Sequence, residues 1–182
     1  MYSTKIGGKT LLERAVGAAL SSPVGEVIVV TRPDKGEAKH LPQSWPVKIV
    51  TNSSHREGMS SSLKAGLLAV SPCTQGIVFA LGDQPFVSPR VYELLIEAYC
   101  RELKLVTVPV YRGKRGNPVL IDRRAWPLLM GAEGDAGGRQ ILPLVPEGEI
   151  SAVEVGDPGV LADIDTEEDF KRCRSVTANC GE

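Results

Sequence analysis

Apolar positions along the chain switch repeatedly between a helical and a strand-like spacing. Leu11, Leu12, Ala15, Val16, Ala19 and Leu20 fall on one helical face, and Thr10 precedes Glu13 at the spacing of a capping box. A helix entered at Thr10 is predicted. Glu26-Val-Ile-Val-Val-Thr31 and Val47-Lys-Ile-Val-Thr51 then read as strands, separated by a polar, proline-broken stretch with room for at most a short helix. Met59 to Val70 reads as a helix entered through three serines. Gly76 to Leu81 is a short, continuous apolar run, the pattern of a strand covered on both faces.

The alternation continues. Ser88-Pro89 supplies a cap and a first-turn proline for a helix reaching about Leu103. Leu105 to Val110 reads as a strand, and Asn117 to Ile121 as a short apolar segment after a glycine-marked turn. Helical stretches are expected near Arg123–Met130 and Gly138–Val145, a strand at Ile150–Val155, and a last helix from Thr166 with acids in its first turn. With no repeats, low-complexity tracts or linker, the pattern predicts one α/β domain over residues 1–175 with a mainly parallel sheet, and a short tail at 176–182.

Composition changes this picture little. The chain has 182 residues, of which 42% are hydrophobic and 24% charged, with a formal net charge of −1. That balance argues against nucleic acid held mainly through phosphate charge. Without a long apolar run or a secretory leader, the expectation is a cytoplasmic chain with no membrane span. The four cysteines (Cys73, Cys100, Cys173, Cys180) and two histidines (His40, His55) show no zinc-ligand spacing. Reduced thiols are expected, although Cys173 and Cys180 could pair under oxidation.

Candidate chemistry gathers where strands end. Gly82 and Pro85 stop the Gly76–Leu81 strand, which leaves Asp83 at its carboxyl end, where open α/β sheets place ligands. Asp83 is therefore either a turn or helix cap or a ligand-edge acid. Asn52 to Ser62 leads from a strand into a helix, so backbone N–H groups and hydroxyls are expected to face that edge, helix capping being the alternative. Tyr111-Arg-Gly-Lys-Arg-Gly116-Asn-Pro118 is a basic loop suited to an anion, or a solvated hairpin. Gly134-Asp-Ala-Gly-Gly-Arg-Gln140 sets glycines beside Arg139 at a helix entrance, a weak phosphate signal. Asp163 and Asp165 flank Ile164, so an extended backbone would point both carboxylates the same way. Either could join Asp83 around Mg²⁺, which takes one or two carboxylates and fills its shell with phosphate and water oxygens.

LGDQPFVSP, YRGKRGNPVL, GDAGGRQIL and DIDTEEDF, with GGKTLLERAV and EGMSSSL before them, resemble the molybdenum-cofactor nucleotidyltransferases in order and rough spacing. The likeness covers residues 5 to about 172 and is nearest the cytidylyltransferase branch. It implies a three-layer, Rossmann-like nucleotidyltransferase fold. It also implies transfer of CMP or GMP from CTP or GTP to the phosphate of a molybdopterin-type cofactor, releasing pyrophosphate, with a molybdoenzyme or its chaperone as a further partner. On that resemblance Asp83 binds Mg²⁺, completed by Asp165 in preference to Asp163. Lys5, Lys9, Asn52, Ser60, Ser61 and Gly82 lie on the nucleotide side. Gly116, Asn117, Pro118, Asp135, Gly137 and Arg139 lie on the acceptor side.

The family normally opens with a central strand and a loop of the type LAAGxSxRMGxxK, for which this chain begins too late. Either Met1 and Lys5 stand for the last Met and Lys of that loop, or its lysine is gone and Lys9 is a surface charge or a phosphate contact. The expectation is a start assigned too late or a true truncation, with two unpaired strand edges and an apolar gap in the sheet. A non-catalytic nucleotide- or cofactor-binding relative, and a transferase of the same fold using another phosphorylated small molecule, are the alternatives.

Overall fold

The computed structural model of the chain describes residues 5–33, 37–134 and 138–164. A hairpin of β1 (Lys5–Ile6) and β2 (Lys9–Thr10) turns through Gly7 at φ 57° and Gly8 at φ 82°, a left-handed pair that glycine adopts without steric penalty. Thr10 then caps α1 (Leu11–Leu20). Its Oγ1 accepts from the Glu13 N–H at 3.1 Å, and the Glu13 carboxylate accepts from the Thr10 N–H at 2.6 Å. The expected capping box is formed.

β3 (Val27–Thr31) and β4 (Val47–Thr51) pair in parallel, with a 3-10 turn at Glu37–His40 in the polar stretch between them. α2 (Met59–Leu67) follows, then β5 (Gly76–Phe79), α3 (Pro89–Glu102), β6 (Val106–Tyr111), β7 (Lys114–Arg115) and β8 (Val119–Asp122). α4 (Trp126–Met130) and a 3-10 turn over Gly138–Leu144 precede β9 (Ile150–Glu154). The expected final helix from Thr166 lies outside the described residues. Among the described residues, no helix is long and apolar enough to cross a membrane.

In the larger sheet β8 lies between β5 and β6 and runs antiparallel to both, while β9 pairs with β6 in parallel. β5 and β6 therefore run in one sense, and the sheet is mixed because β8 returns from the β6–β7 hairpin. The β5–β8 ladder ends at Phe79–Val119, two residues earlier than the apolar run. Pro118 would be the next partner and has no N–H to donate. Side chains of β8 alternate between the two faces. Val119 and Ile121 pack with Leu63 and Leu67 of α2 and Leu129 of α4, while Leu120 packs with Val91, Tyr92 and Leu95 of α3. Helices thus cover both faces in three layers.

Among the described residues, the β3–β4 pair shares no strand hydrogen bonds with the larger sheet. Between β3 and β5 lies a cavity of about 1030 Å³ walled by Val27 to Thr31 on one side and Gly76 to Phe79 on the other. Leu12, Val16 and Ala19 of α1, with Leu63 and Gly66 of α2, also line it. One Glu26 carboxylate oxygen accepts from the Ser71 N–H at 2.8 Å and the Thr74 hydroxyl at 3.3 Å. That bridge sets the starts of β3 and β5 at the same end, so the two strands line the cavity in the same sense. Among the described residues each is paired on its far side only, which leaves an apolar gap between them.

Candidate functional site

The turn after β5 is stitched to the segment that carries Asp163. The Ile164 N–H donates to the Asp83 carbonyl at 3.1 Å, and the Ile164 side chain, 1% exposed, packs with Ile6, Leu11 and Phe86. Gln84, 2% exposed, donates through its side-chain Nε2 to the Asp163 carboxylate. Gly82 and Asp83 line the upper end of the interstrand cavity. Asp83 and Asp163, some 80 residues apart in sequence, thus lie on segments joined to each other at one sheet edge.

The acceptor-side residues reach the same edge through backbone packing. Asn117 N–H donates to the Val160 carbonyl at 2.9 Å, and a Cβ on Gly116 would fall on that same carbonyl. A Cβ on Gly159 would fall on the Phe86 carbonyl. Asp157 ties this cluster together, accepting from Ser88 N–H at 3.1 Å and Gly159 N–H at 2.8 Å. Asn117, at 7% exposure, precedes Pro118 through a cis peptide bond. Segments 83–88, 116–118 and 157–164 therefore form one block, because only glycine lets the chains approach this closely.

Asn52 organises the opposite wall. It is 4% exposed; its Nδ2 donates to Ser61 Oγ at 2.8 Å and Ser62 Oγ at 3.0 Å, while its Oδ1 accepts from Ser54 N–H at 2.9 Å. Ser61 Oγ donates to the Gly58 carbonyl. Ser60 is buried and its N–H donates to the Gly134 carbonyl at 3.0 Å. Both serines are buried, and the Ser61 hydroxyl serves Asn52 and the Gly58 carbonyl, which is nearer the capping alternative than an edge-facing array. The Ser60 backbone ties the start of α2 to the loop that leads into Asp135 and Gly137. Asp135, Gly137 and Asp165 lie outside the described residues, and Arg139 falls in the 3-10 turn over Gly138–Leu144.

Lys5 and Lys9 are exposed on the β1–β2 hairpin. Arg14 fixes that hairpin with two donations to the Ile6 carbonyl, at 2.9 and 2.8 Å. Ile6 packs against Phe86 and Ile164, so the hairpin that carries both lysines abuts the Asp83 block. Arg56 and His55, within the candidate Asn52–Ser62 connection but not singled out in it, line the cavity with Asp83. Their signal was position, within the strand-to-helix connection. The basic loop is a hairpin turning through Arg112 (φ 50°) and Gly113 (φ 75°). Arg115 pairs with Glu147, and the Arg112 guanidinium lies 5.2 Å from the Tyr111 ring centroid. The solvated-hairpin alternative describes those cations.

The donor set fits a hard divalent cation at an open site. Among the described residues no group of three or more His, Cys, Asp or Glu gathers to enclose a metal. Two carboxylates at a strand end, without thiol or imidazole, match Mg²⁺ or Mn²⁺ sharing its shell with phosphate and water. Burial alone raises the Tyr92 hydroxyl, in the first turn of α3, to about 12, and a second group of shifted acidities lies at the far end of the sheet. Burial pushes the Tyr99 hydroxyl up to about 12, reinforced by its 2.7 Å donation to Asp122. Burial also opposes charge on Asp122, but Arg124 and Tyr99 outweigh it and hold the carboxyl below its ordinary range. Asp122 pairs with Gly76, at the start of β5, so this trio is a structural clamp away from the ligand edge.

Residues 2–149 match the family model of the MobA-like NTP transferase domain. The Bacillus subtilis (strain 168) "Purine catabolism protein PucB" is 27% identical over 177 residues, 92% of this chain and 84% of that protein. The Escherichia coli (strain K12) "Molybdenum cofactor cytidylyltransferase" is 24% identical over 163 residues, 88% of this chain and 80% of that protein. Among solved structures, Mycobacterium tuberculosis H37Rv Rv0371C, in complex with manganese, superposes with a TM-score of 0.79. It is 23% identical, covering 94% of this chain and 89% of that one.

Proposed function

Since the chain belongs to the MobA-like NTP transferase family, we propose that it moves CMP or GMP from CTP or GTP to the terminal phosphate of a molybdopterin-type cofactor. An acceptor phosphate oxygen attacks the α-phosphorus in line. The new P–O bond forms as the bond to the β-phosphate oxygen breaks, and pyrophosphate leaves. Such transfer asks a protein mainly for positioning and charge neutralisation. Asp83, with Asp163 or Asp165, would hold Mg²⁺, which neutralises triphosphate charge when bound. The manganese complex of a protein with this fold supports that assignment.

The chain's own residues divide the remaining work. Lys5, Lys9 and Arg56 offer cationic charge to the triphosphate from beside the Asp83 turn and the cavity mouth. The Asn52 network holds the start of α2 beneath the base and ribose, with Ser60, Ser61 and Gly82 as its frame. Gly116, Asn117 and Pro118 shape the acceptor side, joined by Asp135, Gly137 and Arg139.

The observation that carries this reading is the pairing of the Asp83 turn with the Asp163 segment at a strand's carboxyl end. Its test is pyrophosphate release from CTP and GTP with molybdopterin cofactor as acceptor. Asp83→Asn should lower the rate by about 10²–10³-fold, the scale for removing one electrostatic stabiliser. Release that is unaffected by the substitution, or absent with both nucleotides, overturns the reading. A second reading rests on the "Purine catabolism protein" label of the 27% identical relative: the acceptor is another phosphorylated small molecule, which an acceptor screen detects. Nucleotide binding without turnover on any acceptor would leave a non-catalytic binding protein.

A further inference from the structure

Gln84 lies between the proposed cation ligand Asp83 and Pro85, and its side chain is almost wholly enclosed at 2% exposure. A buried amide is costly unless bonded, and this one spends its NH₂ on a carboxylate that is itself exposed. The carboxylate admits only the donor face of the amide, so the partner's identity fixes the amide's orientation. The backbone beside it is already anchored, because Ile164 plugs the Ile6–Leu11–Phe86 cluster and bonds the Asp83 carbonyl. Gln84 therefore has no need to hold the segment as such. It adds control over the rotation of the Asp163 side chain.

The donor is neutral. An arginine or lysine in its place would cancel the Asp163 charge that a cation needs. A glutamine leaves the full negative charge while occupying Oδ1, which leaves Oδ2 as the oxygen open to coordination. We propose that Gln84 is a positioning residue for the cation at this edge, acting through Asp163. The proposal rests on the function argued above. Groups that orient metal-binding carboxylates typically contribute 10–100-fold to metal affinity.

The test is Mn²⁺ affinity, read by electron paramagnetic resonance with CTP or GTP present, on the whole chain and on Gln84→Leu, Gln84→Met, Asp163→Asn and the double variant Q84L/D163N. Gln84→Leu keeps roughly the volume and removes the donor. Gln84→Met removes the donor while keeping the unbranched shape and the charge, should the branched variant fail to fold. Expected are a loss of about 10–100-fold in Mn²⁺ affinity for either Gln84 variant and no further loss from Gln84→Leu when Asp163 is already Asn. A Gln84 variant that melts lower yet binds Mn²⁺ as the parent does would reduce Gln84 to a packing residue. Equal losses in both backgrounds would show that it does not act through Asp163. If the unsubstituted chain binds no Mn²⁺ and nucleotide, and Asp83→Asn behaves alike, the functional reading fails and takes this inference with it.

Discussion

The gap between β3 and β5 makes a quantitative demand on stability. Five residues of β3 and four of β5 each present one unpaired edge to a cavity of about 1030 Å³, roofed and floored by α1 and α2. Appending a five-residue apolar strand such as Val-Ile-Val-Leu-Val before Met1, with a glycine-rich joint, offers both edges a partner. Burying such side chains contributes roughly 1.5–3 kcal/mol each, and ordering them costs about 1.5 kcal/mol per residue. The ladder hydrogen bonds add about 1 kcal/mol each at most. The net expectation is about 5 kcal/mol, or roughly 10–20 °C in Tm for a domain of this size. Calorimetry measures the shift, and amide exchange should show new protection along both β3 and β5. A control strand with Lys and Asp at alternate positions should gain nothing, since no charged group can be solvated in the slot. An unchanged Tm for the apolar strand, or the same gain from the charged one, would refute the reasoning.

Three further outcomes follow from the packing and the titrating groups. Gly159→Ala drives a Cβ into the Phe86 backbone and should destabilise by roughly 1–3 kcal/mol in urea denaturation; a change below about 0.5 kcal/mol would show that the 157–164 segment yields without strain. Asp122 has its folded-state pKa lowered, so its contribution is present above the unfolded value near 3.9 and is lost as pH falls through the lower folded value. Asp122→Asn should therefore flatten the acid limb of the Tm–pH curve, and an acid limb identical to the parent's would contradict the clamp. The Tyr99 hydroxyl is raised to about 12, so its contribution holds below about pH 10 and disappears as pH climbs toward the folded value. Tyr99→Phe should lower Tm near neutrality and lessen its fall between about pH 10 and 12.

What could be read in the sequence depended on whether the signal was local. The Thr10–Glu13 capping box needs four consecutive residues and forms as expected. That Asp83 falls in a turn after β5 was legible because Gly82 and Pro85 flank it. The early end of β5 was not, since it is set by Pro118 on a strand that pairs only in the folded chain. The burial of Ser60 and Ser61 was equally hidden: their partners, Asn52 and Gly134, come from separate loops. The basic 111–118 loop left an anion site and a solvated hairpin equally open until folding supplied Glu147 to Arg115. Gln84 carries no pattern at all, because a glutamine after an acid becomes informative only once Asp163 is placed against it. The family fold came from resemblance, a signal that periodicity does not carry.

The gap and the site are physically one feature. The cavity that separates β3 from β5 ends at Gly82 and Asp83 and is flanked there by His55, Arg56 and the first turn of α2. The Asp83 turn is held from below by β5, which is paired on one side only, and from beside by Ile164 and Gln84. A one-sided strand opens more easily than a two-sided one, so the turn's position should be the least stable part of the edge. The Gln84–Asp163 and Ile164–Asp83 bonds fasten that turn to a segment packed against β1 and α1, not to the incomplete sheet. They allow the two acids to keep their relation even while the strand beneath them lacks a neighbour. Binding at the edge and pairing in the slot should then reinforce each other, because each removes freedom that the other would otherwise have to remove.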